Sequence, residues 1–172
     1  TQQAVEVLNC IGKVFDHTFE FVPSLVGAAA IDATGTPLPS ETLQNCIASD
    51  AVLFGAIGHP KYDNDPSAKV RPEQGLLAMR QELGLYANIR PVTAYESLLD
   101  ASPLRKDIVA GTDLVVVREL IGGIYFGKPR GRSEQGDVAY DTCVYDREGI
   151  LRITKFAFEY ARKRRGHVTL VD

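Results

Sequence analysis

Two charged residues and two leucines stand at helical spacing in the first half of the chain. They are Glu73, Leu76, Leu77 and Arg80, at i, i+3, i+4 and i+7. This spacing places them on one face of a helix, which Pro72 fits as a first-turn residue and which we expect over 72–83. An apolar centre with a charge at each end could bind an amphipathic ligand. The alternative is that the leucines are core and the arginine is solvated.

Two more arginines follow apolar segments that are suited to strands. Arg90 follows 85–89 and precedes a proline, and Arg118 comes directly after 114–117. We therefore expect both guanidinium groups where a strand leaves a sheet. Because the same geometry recurs, the three guanidinium groups indicate a shared functional role more strongly than any one of them alone. Salt bridges to neighbouring acids such as Glu119 are the alternative.

Helix-like and strand-like patterns alternate through the first half of the chain. The spacing of apolar residues predicts a helix up to about Phe15, and Ser40 could cap another over 41–48. The segments 18–22 and 51–58 have the composition of strands. This alternation favours an α/β fold with a largely parallel sheet flanked by helices.

The second half ends in a polar strand and a long helix. The segment 136–145 alternates with period two, which predicts an exposed strand or else an ordinary hairpin. Asp146 can cap a helix over about 147–165, and 167–172 has the pattern of a further strand. The helix dipole and solvation explain the cations at 162–165 better than nucleic-acid binding does.

A loop at 58–66 is rich in turn-forming residues and follows the strand-like 51–58. Open α/β sheets bind ligands at the carboxyl ends of their strands, so this loop is a candidate functional loop. His59 lies in it beside a proline and without His or Cys neighbours. We therefore expect a structural or solvated side chain there and assign it no chemistry.

The composition is that of an ordinary globular protein and excludes several classes of function. Of 172 residues, 45% are hydrophobic and 24% are charged, with a net charge of -3 and a pI near 5.6. A general binder of nucleic acid or of anionic membranes is therefore not expected. No apolar run approaches the ~20 residues that span a bilayer. Three cysteines without metal-like spacing favour the reducing cytoplasm.

Four motifs, taken in their order and spacing, resemble those of one enzyme family. They are GLLAMR (75–80), ANIRP (87–91), VREL (117–120) and GGIYFG (122–127). Together they closely resemble the decarboxylating β-hydroxyacid dehydrogenases and, within that family, the 3-isopropylmalate dehydrogenases; the similarity runs through the whole chain. Related isocitrate dehydrogenases carry a serine on the helix that corresponds to 73–83, where this chain has Leu76 and Leu77. The leucines favour a substrate with an isopropyl branch.

The resemblance implies an isocitrate/isopropylmalate dehydrogenase-like fold that is incomplete at both ends. Residues 1–85 would belong to a first α/β domain and residues 86–172 to a second, which carries an arm at about 125–146. In the family this arm pairs with its twin, so a homodimer is expected. The family's glycine-rich segment, catalytic lysine and metal-binding aspartates are expected outside this chain. We therefore expect the 172 residues alone to have little or no dehydrogenase activity.

The resemblance also implies roles for individual side chains. The carboxylates and hydroxyl of the substrate would be bound by Arg80, Arg90 and Arg118. Its isopropyl group would contact Leu76 and Leu77. Tyr125 would be the catalytic proton donor. The residues expected near the NAD cofactor are Glu73, Pro60, Lys61, Arg71 and Pro72. A magnesium or manganese ion is also expected, with its ligands outside this chain.

The implied reaction is the oxidative decarboxylation of 3-isopropylmalate to 2-oxoisocaproate with reduction of NAD, a step of leucine biosynthesis in the cytoplasm. The chain would supply the substrate-binding half of that enzyme. Two alternatives stay open: a non-catalytic α/β fragment that binds an anion or dimerises, and a related malate- or isocitrate-type decarboxylating dehydrogenase. Convergence of the three arginines and Tyr125 on one cleft would argue against the non-catalytic alternative.

Overall fold

A computed structural model of the chain describes residues 1–64 and 68–171. It divides into two compact units, Thr1–Leu83 and Gly84–Asp172. Three residues named in the sequence predictions, Asp65 and Pro66 of the candidate loop and Asp172 at the end of the last predicted strand, lie outside the described residues. The boundary expected near residue 85 separates two domains that the family resemblance implies, and it stays a prediction.

Helices provide the regular structure described in the first unit. They are α1 (Gln2–Phe15), α2 (Ala28–Thr34), α3 (Ser40–Ala48), α4 (Pro60–Asp63) and α5 (Pro72–Glu82). The helices predicted up to Phe15, over 41–48 and over 72–83 are therefore confirmed to within about one residue. The prediction that Ser40 caps α3 is wrong. Ser40 is the first residue of the helix, and Pro39 occupies the capping position.

The small residues around α2 allow close backbone contacts in the first unit. Gly27 has φ of 65°, and a methyl group on it would stand 2.6 Å from the carbonyl oxygen of Ile57. The Ala28 N–H donates to that same oxygen at 2.9 Å. Nearby, the Thr42 hydroxyl is buried and donates to the Leu25 carbonyl at 2.7 Å. These bonds fix 51–58 against the start of α2, since only glycine tolerates both the approach and the positive φ.

The strands predicted at 18–22 and 51–58, and at 167–171 in the second unit, are absent from the described residues. Composition suited these segments to strands, but a strand also needs a neighbouring extended segment that completes the ladder of hydrogen bonds. Among residues 1–64 and 68–171, none of the three segments pairs with such a neighbour. Several of their apolar side chains are accordingly exposed, including Leu53 and Leu170.

The second unit is built on two strands, β1 (Ala87–Thr93) and β2 (Asp113–Glu119). They pair antiparallel over their whole length, so the sheet described here is not parallel. Between them lie a 3₁₀ helix (Glu96–Ala101) and α6 (Lys106–Val109). The prediction that a strand ends at Arg90 is also wrong, because β1 continues through Arg90 to Thr93. Both strands are edge strands, where a proline such as Pro91 is tolerated.

A short hairpin follows at the place of the predicted arm. β3 (Gly131–Arg132) pairs antiparallel with β4 (Ala139–Tyr140), and all four residues are exposed. A single bridge farther along joins Gly123 to Val144. The segment 136–145 thus supplies one strand of a hairpin within the chain, and its regular pairing covers only residues 139–140. Pairing of this arm with a twin stays a prediction.

The last helix, α7 (Arg147–Arg162), begins as the sequence predicts and ends earlier. The Asp146 carboxylate accepts the Gly149 N–H at 2.6 Å, which caps the helix. Arg164 and Arg165, expected to be solvated in its last turn, lie beyond it and bind Asp113 at the start of β2. Their distances to the carboxylate oxygens are 2.6 and 2.7 Å. These two cations therefore fix the end of α7 to the sheet.

None of the described helices combines the length and the apolar composition that crossing a bilayer requires.

Asp113→Asn is expected to lower the free energy of unfolding near neutral pH and to lose this effect in acid. Hydrogen bonds from Arg164 and Arg165 lower the pKa of Asp113 below its ordinary value. A carboxyl group with a lowered folded-state pKa stabilises the fold above its unfolded pKa of ~3.9, and this contribution disappears as the pH falls through the folded-state pKa. Urea unfolding of both proteins between pH 7 and pH 2 measures the difference.

The control for this measurement is Asp107→Asn, because Asp107 pairs with Arg105 on an exposed local turn. It is expected to change stability little at any pH. A difference between the chain and Asp113→Asn that stays constant across the pH range would contradict the assignment.

Candidate functional site

Two of the predicted arginines share one face of the β1–β2 hairpin. Asn88 lies opposite Arg118 and Arg90 lies opposite Val116 in the strand register. Directly opposed residues, and residues two apart on one strand, point to the same side of a sheet. The side chains of Asn88, Arg90 and Arg118 therefore project together. Both arginines are exposed, so a ligand can reach them.

Tyr125 completes this group from the loop after β2. The Arg118 Nη2 donates to the Tyr125 hydroxyl oxygen at 3.4 Å, and the guanidinium carbon lies 5.7 Å from the centre of the ring. Tyr125 is 46% exposed. Since Arg118 donates to the phenol oxygen, the phenol proton stays available for another acceptor. The structure thus brings Arg90, Arg118 and Tyr125 onto one accessible surface, which we call the arginine face.

The charges on the arginine face are not neutralised by the described part of the chain. Arg90 Nε donates to the neutral amide oxygen of Asn88 at 2.6 Å, and Arg118 contacts a phenol. Within residues 1–64 and 68–171, neither guanidinium forms an ion pair. By contrast, Arg164 and Lys61 each pair with an aspartate. The salt bridge to Glu119 that the sequence left open is therefore not formed, and the face retains positive charge for an anion.

Glu119 binds the backbone of the following turn instead, a contact that the sequence did not predict. Its side chain is 11% exposed and accepts the N–H groups of Ile121 and Gly122 at 3.0 and 2.7 Å. Arg152 of α7 approaches the same carboxylate at 3.9 Å. These bonds shape the turn that leads from Arg118 to Tyr125. Glu119 belongs to the VREL motif, but only the folded turn shows what its carboxylate binds.

Glycines fix the two ends of the Tyr125 segment. At one end, the Gly123 N–H donates to the Val144 carbonyl at 2.7 Å. At the other, a methyl group on Gly127 would stand 1.8 Å from the Thr142 carbonyl oxygen. No side chain fits in that space, so the backbone of 123–127 lies directly against 142–144. The glycines on both sides of Ile-Tyr-Phe in the sequence were the signal for such close packing.

The other predicted substrate residues lie on α5 in the first unit. Glu73 is exposed near its beginning, and Leu76, Leu77 and Arg80 are partly buried. The buried stripe of this helix consists of Pro72, Gly75 and Met79. A methyl group on Gly75 would stand 2.4 Å from the Pro37 carbonyl oxygen, so this stripe is where α5 packs. Leu76 and Leu77 flank the stripe and are neither full core nor fully exposed.

The residues predicted near the cofactor lie at the starts of α4 and α5 in the first unit. Arg71 Nη1 donates to the Tyr62 carbonyl at 3.0 Å, which joins the two helix starts. The Lys61 ammonium pairs with Asp32, and the Tyr62 hydroxyl donates to Asp32 at 2.7 Å. The hydrogen bond from Lys61 lowers the pKa of Asp32, and the same bond raises the pKa of Lys61. The Lys61 charge is therefore already balanced by Asp32 in this structure.

His59 has the structural position that the sequence predicts. Its Nδ1 accepts the Lys61 N–H at 3.3 Å and so caps α4. This bond agrees with assigning His59 no chemistry.

The predicted site residues thus form two groups, one in each unit. Arg90, Arg118 and Tyr125 meet in the second unit, and the α5 residues with Pro60, Lys61 and Arg71 lie in the first. Their union in a single substrate site stays a prediction. In the ranges 1–64 and 68–171 no group of three or more His, Cys, Asp or Glu side chains could hold a metal ion.

Comparison with known proteins identifies relatives along the entire chain. Residues 1–172 match the family described as isocitrate/isopropylmalate dehydrogenase. The chain is 55% identical to 3-isopropylmalate dehydrogenase of Priestia megaterium and 56% identical to that of Bacillus caldotenax, covering 100% of this chain and 47% of each relative. The chain therefore spans about half the length of the curated relatives it matches.

A solved structure gives a similar result for the fold. The β-decarboxylating dehydrogenase of Thermococcus kodakarensis superposes with a TM-score of 0.55 at 30% identity, over 93% of this chain and 42% of that one. The α/β class predicted from the sequence, as an incomplete fold of the isocitrate/isopropylmalate dehydrogenase type, is therefore confirmed.

Gly127→Ala is expected to destabilise the second unit by at least ~2 kcal/mol, since overpacking against backbone costs more than against a mobile side chain. The added methyl group would overlap the Thr142 carbonyl oxygen. Gly58→Ala is the control, because among the described residues its methyl group would meet the Glu73 carboxylate alone, at 3.8 Å. Urea unfolding followed by tyrosine fluorescence measures both. Equal stabilities of the two variants would show that the packing at Gly127 is looser than described.

Proposed function

Because the chain belongs to the isocitrate/isopropylmalate dehydrogenase family, we propose that it forms the substrate-binding half of an NAD-dependent 3-isopropylmalate dehydrogenase. The reaction is oxidative decarboxylation of 3-isopropylmalate to 2-oxoisocaproate, a step of leucine biosynthesis. The observation that carries the proposal is the arginine face, where two guanidinium groups without carboxylate partners lie beside a phenol. Such a face fits a small dicarboxylate and a proton transfer next to it.

Substrate recognition rests on Arg80, Arg90 and Arg118. These three guanidinium groups bind the two carboxylates and the C2 hydroxyl of the malate. Each charge-assisted hydrogen bond contributes ~1.5–3 kcal/mol when water is excluded, so carboxylate binding dominates the affinity. Exposed valines and a leucine surround the arginines on the same sheet face: Val92, Leu114 and Val116. Their apolar surface reduces competition from water for the guanidinium groups.

Selectivity rests on Leu76 and Leu77. Partly buried leucine side chains on α5 provide an apolar contact for the isopropyl branch. Each buried methylene-sized group contributes only ~0.8 kcal/mol, so this contact selects among malates rather than determining binding. A branched substrate is thereby preferred over isocitrate, whose corresponding branch is charged.

Tyr125 supplies the proton in the last step of the reaction. NAD, when bound, would accept the hydride from C2, and the C2 hydroxyl would lose its proton to solvent, which leaves a ketone. The C3 carboxylate then leaves as carbon dioxide with its bonding electrons left on the substrate as an enolate. The Tyr125 hydroxyl gives its proton to C3 of this enolate and is later reprotonated from solvent. Its hydrogen bond from Arg118 at 3.4 Å holds the phenol oxygen beside the residue that binds the substrate.

The proposed cofactor contacts lie in the first unit. Glu73 is an exposed carboxylate close to Gly58, and it can accept hydrogen bonds from ribose hydroxyl groups. Pro60, Lys61, Arg71 and Pro72 would form the adjoining surface. The family depends in general on NAD and on a divalent metal. The described residues offer no fitting cluster for the metal, so no metal ligand is assigned to them.

The remaining proposals concern assembly and location. The exposed β3–β4 hairpin has open edges that could pair with a second copy, which supports a homodimer. A biosynthetic role and three free cysteines support a cytoplasmic location.

Arg118→Ala in a full-length protein that carries this sequence is expected to weaken 3-isopropylmalate binding by about 10- to 100-fold, as loss of one or two charge-assisted bonds predicts. The measurement is titration calorimetry with the purified protein. Arg105→Ala is the matched control, because Arg105 is exposed and pairs with Asp107 two residues away. Unchanged binding in Arg118→Ala would contradict the proposal that the arginine face is the substrate site.

Leu76→Ala is expected to lower the ratio of kcat/KM for 3-isopropylmalate over unbranched malate by about tenfold, the effect of losing a few methyl contacts. Leu83→Ala is the control from the end of the same helix. Steady-state assays of NADH formation with both substrates give the ratio. An unchanged ratio would show that the isopropyl group binds elsewhere.

A further inference from the structure

Arg130 forms an unusual concentration of hydrogen bonds around Tyr125. Its Nη2 donates to the carbonyl oxygens of Ile124 at 2.6 Å, Tyr125 at 2.8 Å and Gly127 at 3.2 Å. Its Nε also donates to the Gly127 carbonyl, at 3.3 Å. One side chain thus binds three carbonyl oxygens of the turn that carries the phenol. Nε carries one N–H and Nη2 carries two, so at least one N–H is shared between two acceptors. The planar guanidinium holds these donors in fixed geometry, which a lysine ammonium does not.

Other contacts hold only the ends of this turn. Gly123 is bonded to Val144, and Gly127 lies against Thr142. The middle of the turn is exposed at Ile124 and Tyr125. In the described structure, Arg130 is therefore the side chain that bonds the backbone at Tyr125 itself. Moving that backbone would move the phenol away from Arg118, to which it is joined only by a 3.4 Å hydrogen bond and the ring contact.

Asp141 orients the guanidinium from the far side. Its carboxylate lies 3.7 Å from Arg130 Nε, and both side chains are about half exposed. Thr142, the next residue, donates through its hydroxyl to the Pro129 carbonyl at 2.5 Å. These contacts fix Arg130 between the β3–β4 hairpin and the Tyr125 turn. An exposed pair of this kind adds little stability, so its main effect is on geometry.

We propose that Arg130 is a positioning residue for Tyr125, an inference that rests on the proposed function of Tyr125 as proton donor. Arg130 touches neither the phenol nor the predicted substrate residues. It holds the carbonyl groups on both sides of Tyr125 and so sets where the hydroxyl stands relative to Arg118. A proton donor displaced by about 1 Å loses up to about 100-fold in rate, so this placement matters for turnover.

A double-mutant cycle in a full-length protein that carries this sequence tests the proposal. Arg130→Ala is expected to lower kcat for 3-isopropylmalate by about 10- to 100-fold and to change KM by less than about threefold, because the chemistry step and not binding loses its geometry. In a Tyr125→Phe background, the same change is expected to lower kcat by less than about threefold, since the phenol that Arg130 positions is then absent.

Two variants control for general damage to the fold. Arg105→Ala removes an exposed arginine that pairs with Asp107 two residues away, and it is expected to leave kcat within about twofold. If Arg130→Ala does not fold, Arg130→Lys takes its place in the cycle, because lysine keeps the charge opposite Asp141 and lacks the planar fork.

The outcomes separate this inference from the proposed function. If Arg130→Ala lowers kcat by the same factor with and without the Tyr125 phenol, the positioning role is overturned and Arg130 has only a structural role. A Tyr125→Phe variant with unchanged kcat would overturn the role of Tyr125 and, with it, this inference. A loss that depends on the phenol supports both.

Discussion

The structure of the second unit depends on the antiparallel register of β1 and β2, which determines which side chains share a face. Antiparallel pairing of β1 and β2 puts Arg90 and Arg118 on the same side of the sheet. Their partners, Asn88 and Tyr125, are neutral. Neither guanidinium forms an ion pair within residues 1–64 and 68–171, so this face keeps positive charge that favours an acidic ligand. The uncompensated pair therefore links the fold of the hairpin to the kind of molecule it can bind.

Carboxylates elsewhere in the described chain stabilise the frame around this pair. Asp113 binds the two arginines after α7, and Glu119 binds backbone N–H groups of the turn before Tyr125. Each lies at an end of β2, so the strand that carries Arg118 is fixed at both ends. The acids that could have neutralised the arginine face are thus engaged in holding its position. One set of charges thus stabilises the structure, and a different set stays available for a ligand.

Local sequence patterns predicted the helices well and the sheet poorly. α1, α3, α5 and the start of α7 follow from apolar spacing and terminal residues, because helical hydrogen bonds join residues four apart. Strands need partners that are distant in sequence, and the segment 51–58 has none among the described residues. Arg90 shows the same difficulty: Pro91 suggested the end of a strand, but an edge strand tolerates proline and β1 continues.

The sequence supplied the candidate residues for the proposed chemistry, because side-chain charge, hydroxyl groups and motif order are properties of the chain alone. It also determined the family, since four motifs in order are specific even without coordinates. Only the tertiary structure decided which of these side chains meet. The pairing of Arg118 with Tyr125 depends on strand register and on the turn closed by Glu119. The hydrogen bonds from Arg130 to that turn depend on the position of the β3–β4 hairpin next to it. Such contacts are made through backbone carbonyl and N–H groups, which are the same in every residue and leave no mark in the sequence.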